Sequence, residues 1–109
     1  MRTAIEIRAF RGSRRSSVYR ACVVPEPAVE RMRRVAGRQG LSGLASVLAP
    51  PDGDLPKETA RRVAADANAL RLSGELLDVD DELLEVADVA SWCSRAPDGA
   101  WLSARALSI

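Results

Sequence analysis

Apolar and polar residues alternate from the start of the chain. Residues 3–10, TAIEIRAF, place Ile5, Ile7 and Ala9 on one side and Glu6 and Arg8 on the other. Period two is the signature of a half-buried strand. Residues 16–24, SSVYRACVV, repeat it, with Val18, Cys22 and Val24 on one face, Arg20 interrupting, and Tyr19, Ala21 and Val23 opposite. The RGSRR between them supplies a glycine and small polar residues, so the pair predicts an antiparallel hairpin.

After Pro25-Glu26-Pro27 the period changes. Val29, Met32, Val35 and Ala36 recur at helical spacing, and Gly37 and Gly40 mark the stop. Residues 40–56 are the least regular stretch. There Leu44, Val47 and Leu48 predict a short turn of helix or strand ahead of a Pro50-Pro51-Asp52-Gly53 turn. Asp54 before Leu55-Pro56 reads as a helix entry, and Ala60, Val63, Ala64, Ala67 and Leu70 carry a second helix to about Leu72. A third helix, from near Asp78 or Asp80 to Ser94, buries Leu83, Val86, Ala87, Ala90 and Cys93. Pro97-Asp98-Gly99 is a turn. The tail AWLSARALSI is a closing strand with Trp101/Ser103/Arg105/Leu107 against Leu102/Ala104/Ala106. The order β-β-α-α-α-β predicts one small α+β domain over residues 1–109. Its hairpin and C-terminal strand share a sheet covered by helices.

Composition narrows the chemistry. Aromatic residues are 4% of the 109, so the core is expected to be built from Ala, Val, Leu and Ile. No run approaches the ~18–20 apolar residues of a membrane span, and MRTAIEIRAF lacks the apolar stretch of a secretory signal. A cytoplasmic location is the expectation. Arginine is used almost to the exclusion of lysine (Lys57 alone), as in a GC-rich bacterial genome. In that setting Cys22 and Cys93 are expected to be free, buried thiols. Histidine is absent, which removes the usual general base and the commonest metal ligand. The stretch DVDDE from Asp78 opens like a calcium loop. However, Leu83 stands where that loop needs glycine, and Val89 where it needs glutamate. No enzyme activity, cofactor or metal is expected.

Charge is sorted along the chain. Residues 1–38 hold ten arginines against three glutamates, a net of +7, whereas residues 73–109 hold eight acids against two arginines, a net of −6. Either the halves neutralise one another across the fold, or the surface has a basic and an acidic end that steer a partner or drive self-association.

Two stretches are candidate sites. In RGSRRSS, Arg11, Arg14 and Arg15 are suited to gripping phosphates, if the segment is more than a solvated hairpin tip. Against a nucleic-acid role stand the scarcity of aromatics, a sheet expected to lack aromatic pairs, and a pI near 7.8. In the third helix, Asp81, Glu85, Asp88 and Trp92 fall on one line opposite the core stripe. Trp92 there either folds over a neighbouring loop or strand, or anchors a partner inside a carboxylate rim. Trp101, opening the last strand, is expected to cap the core. The function expected is therefore a small non-enzymatic, protein-binding protein acting through this acidic helix: an inhibitor, an immunity-type protein or an accessory subunit. Its partner would carry a basic surface, with self-association as a further option and no membrane involved. The alternative is a nucleic-acid-associated accessory protein using the arginine-rich hairpin.

Overall fold

In the computed structural model, residues 3–11, 18–48, 53–96 and 100–108 are described. The hairpin strands are β1 (Thr3–Arg11) and β2 (Val18–Val24), and the closing strand is β4 (Ala100–Ser108). Three long helices lie between them: α1 (Glu26–Gln39), α3 (Lys57–Ser73) and α4 (Asp80–Arg95). These are the expected elements in the expected order. The irregular middle adds two short ones, α2 (Ser42–Leu48) and β3 (Gly53–Leu55), and a 3-10 turn, Leu77–Val79, precedes α4. Asp54, expected as a helix cap, lies within β3, and Pro56 takes the cap position of α3. The Pro50–Asp52 and Pro97–Gly99 turn residues fall outside the described residues.

The sheet runs β2-β1-β4-β3 with every neighbouring pair antiparallel. Its first and last long strands pair along their whole length, from Thr3 opposite Ser108 to Arg11 opposite Ala100. A register shift between Ala9 and Phe10 marks a bulge against β2. The chain's two ends are thus joined at the centre of the sheet, which explains why a strand so late in sequence belongs to the same core.

One face of the sheet takes the helices. Ile5, Ile7 and Ala9 meet Cys22, Val24, Leu102 and Ala104 on that side, and α4 packs across β1, β2 and β4. Leu83, Val86, Ala87, Ala90 and Cys93 of α4 are all buried there, as the helical period requires. Helix α3 packs on α4, and also against α2 and β4, with Ala60, Val63, Ala64, Ala67 and Leu70 buried.

Helix α2 illustrates a local structure decided at a distance. Its first-turn Leu44 N–H donates to Asp66 Oδ2 of α3 at 2.9 Å, a cap supplied by another helix. Gly43 sits so near α3 that a Cβ there would stand 2.7 Å from Arg62 Cβ and 2.8 Å from its carbonyl carbon. The ends of α1 and α3 follow the ordinary rule, with Gly40 (φ 71°) and Gly74 (φ 73°) in the left-handed region. Both thiols are free and buried. Burial pushes Cys22 up to about 12, helped by the carboxylates of Glu85, Asp88 and Glu6. It pushes Cys93 up to about 11, with Lys57 opposing. No described helix is long and apolar enough to cross a membrane.

Candidate functional site

The stripe Asp81, Glu85, Asp88 and Trp92 lies on the side of α4 away from its buried face, but its four members have different surroundings. Asp81, Glu85 and Asp88 are exposed. Asp88 accepts from Arg20 Nη1 of β2 at 2.7 Å, so the arginine that interrupts the inner face of β2 serves to hold α4 over the sheet edge. Trp92 is half-buried, packs against the core and is engaged in a further contact. Among the described residues, Asp81 and Glu85 meet no cation.

Neutralisation between the two halves of the chain accounts for much of the remaining acid. Arg31 Nε reaches Asp78 at 2.8 Å, while Arg38 and Gln39 both donate to Glu75. These pairs tie α1 to the turn between α3 and α4. They are exposed, so each contributes only about 0–1 kcal/mol. The basic arm and the acidic tail of the sequence are therefore partly stitched together, and Asp81 and Glu85 on the outward side of α4 are among the acids that meet no cation among the described residues.

Periodicity alone misses the leucines beside that acid. Leu72, Leu77 and Leu84 are 88%, 75% and 46% exposed. Leu84 lies on the same exposed side of α4 as Asp81 and Asp88, one turn from each. Leu72 and Leu77 share one depression of about 340 Å³ with Asn68, Arg71 and Asp80. Across it Arg71 Nε donates to Asp80 Oδ1 at 3.1 Å. Leu84, beside Asp81, which meets no cation among the described residues, has the makeup of a protein contact, an apolar centre with a charged rim, whereas the acid beside Leu72 and Leu77 is the paired Asp80.

A second surface lies on the other face of the sheet. Ala4 and Phe10 are buried yet stand outside the core cluster, while Ala21, Val23 and Arg105 on that face are exposed. Phe10 and Trp101, cross-strand partners on β1 and β4, stack with ring centroids 4.3 Å apart and planes 12° from parallel. Trp101 is thus part of an aromatic pair on the outer face rather than a cap on the main core. The expectation that the sheet lacks aromatic pairs is corrected here, because residues 91 positions apart in sequence cannot be matched before the strand order is known.

Beside this pair, Glu6 Oε1 accepts from Arg8 Nε at 2.8 Å and from Arg105 Nε at 2.9 Å. Burial pushes the Glu6 carboxyl up, but the two guanidiniums outweigh it and hold its pKa below the ordinary value. These residues, with Ser103 and Phe10, line a shallow depression of about 220 Å³. Of the hairpin arginines, Arg14 and Arg15 fall outside the described residues, and Arg11 is described only as the end of β1. No family model matches the chain, and no curated protein or solved structure does either, so its function is read from its own surfaces.

Proposed function

We propose that the chain is a small non-enzymatic protein of the cytoplasm that works by binding another protein, as an inhibitor, an immunity-type protein or an accessory subunit. The acidic outward side of α4 is the contact. The observation that carries this reading is Leu84, 46% exposed, set among carboxylates of which Asp81 and Glu85 meet no cation among the described residues. The carboxylates steer a basic partner and speed its arrival, and apolar contact holds it once docked. The test is capture of partners by the tagged protein from its own source, after nuclease treatment. A stable protein partner is expected, lost when Asp81→Asn and Glu85→Gln are combined. Recovery unaffected by both changes, or dependent on nucleic acid, overturns the reading.

A second reading has one specific observation in its favour. The stacked Phe10–Trp101 pair beside Arg8 and Arg105 resembles, in its chemistry, the aromatic and basic sheet faces on which single-stranded nucleic acids lie. Arg11, Arg14 and Arg15 of the hairpin would add phosphate contacts. It ranks second because Phe10 is only 4% exposed and Glu6 offsets one of the two neighbouring guanidiniums. Oligonucleotide binding that falls steeply with salt would favour it, since phosphate contacts release counterions.

A further inference from the structure

We propose that β2, an edge strand of the sheet, pairs antiparallel with β2 of a second copy of the chain and joins the two sheets into one. The pairing goes beyond the contact proposed for α4. It leaves Leu84, roughly 100° round that helix from Glu85, open to another partner.

The strand order β2-β1-β4-β3 leaves one side of β2 outside the ladder. One residue in two along that side turns its N–H and C=O outward, and among the described residues nothing bonds to them. Few of the usual guards of an open edge are present. Val18–Val24 contains no proline, glycine or lysine, and its one charge, Arg20, is tied to Asp88. The opposite edge, β3, is only three residues long. What an edge like that of β2 takes is an extended backbone.

The strand's own sequence says whose backbone fits. The register shift at Ala9 and Phe10 skips Tyr19, so the regular part of β2 is residues 20–24. Paired antiparallel with themselves, these residues centre on Cys22 and set Ala21 opposite Val23 of the second copy, twice. Ala21 is exposed and Val23 is 46% exposed, both on the outer face of the sheet, so each covers the other. Arg20 falls opposite Val24 of the second copy and diagonal to its Cys22, so no like charges stand face to face. Burial raises the Cys22 pKa, and the nearby carboxylates of Glu85 and Asp88 raise it further, so both acids stand close to this axis. Asp88 already holds Arg20 of its own copy, whereas Glu85 meets no cation among the described residues. The second copy's Arg20, within the diagonal reach of a long side chain, brings a cation to it.

The test uses the full chain. Sedimentation equilibrium is expected to show a monomer–dimer equilibrium, with amide exchange at residues 20–24 slowing as the dimer forms. Two single changes and their combination then probe the register. Within the chain Ala21 stands opposite Arg8 and Val23 opposite Glu6, so the monomer should accept Ala21→Glu and Val23→Lys and melt in dilute solution like the wild type. Each alone sets a charge against an apolar residue of the second copy and should weaken the dimer about tenfold. Combined, they set opposite charges across the two copies and should restore it. A chain that stays monomeric to millimolar concentration overturns the proposal. So does a dimer whose slowed amides lie outside residues 20–24, and so does a double variant that associates no better than the single ones.

Discussion

Replacing Gly43 by alanine tests the packing of α2 on α3, and Gly37→Ala provides the internal control. Both glycines lie within helices, so alanine brings each about 0.5–1 kcal/mol of conformational advantage. At Gly37 nothing lies within 4 Å of the new Cβ, and that advantage should appear whole. At Gly43 the Cβ would stand 2.7 Å from Arg62 Cβ, 2.8 Å from the Arg62 carbonyl carbon and 2.8 Å from Asp66 Oδ2. Ordinary contact needs about 3.5–4.0 Å, so the helices must part by roughly 1 Å. Overpacking of this kind costs about 1–3 kcal/mol. The same displacement pulls Asp66 from the Leu44 N–H, a charge-assisted bond whose weakening adds about 1 kcal/mol. After the helix gain is subtracted, Gly43→Ala should destabilise by about 1–3 kcal/mol. For a chain of this size that lowers the melting temperature by roughly 4–12 °C. Paired calorimetric melts of the two variants measure it. If Gly43→Ala is as neutral or stabilising as Gly37→Ala, the described α2–α3 contact is wrong.

Other perturbations address separate parts of the account. Leu83→Ala removes a fully buried side chain and should cost about 2–5 kcal/mol, read as a lowered urea midpoint at unchanged slope. With their pKa values pushed up to about 12 and about 11, Cys22 and Cys93 should remain protonated and label slowly at pH 8, then rapidly in denaturant. Because the Glu6 pKa is lowered on folding, its pairing with Arg8 and Arg105 stabilises fully above the unfolded value of about 4.3 and is lost as pH falls through the folded one. Glu6→Gln should therefore destabilise at neutral pH and narrow the difference from wild type below pH 4, and a parallel difference at all pH values would refute the pairing.

The long elements were legible because each carries its own period. Ile5, Ile7 and Ala9 alternate, and Leu83, Val86 and Ala90 recur by turns, so both the strand and the helix faces could be read locally. What could not be read was decided between distant residues. The cap of α2 comes from Asp66, and β3 exists through its pairing of Gly53–Leu55 with Leu102–Ala104. The Phe10–Trp101 stack needs the two chain ends side by side. The candidate site divided in the same way. Helical geometry set Asp81, Glu85, Asp88 and Trp92 on one line, but not that Arg20 would pair with Asp88 or that Trp92 would be half-buried. Leu72 closes a helix and Leu77 precedes one, where no period distinguishes a buried leucine from an exposed one.

The footprint of the captured partner on the isotope-labelled chain tests the functional account most directly. Amide and methyl resonances report on every surface in one titration. Perturbation is expected along Asp81, Leu84 and Glu85, with Glu6, Arg8, Trp101 and Arg105 on the opposite face unmoved. A footprint centred on that sheet face, with α4 silent, would contradict it.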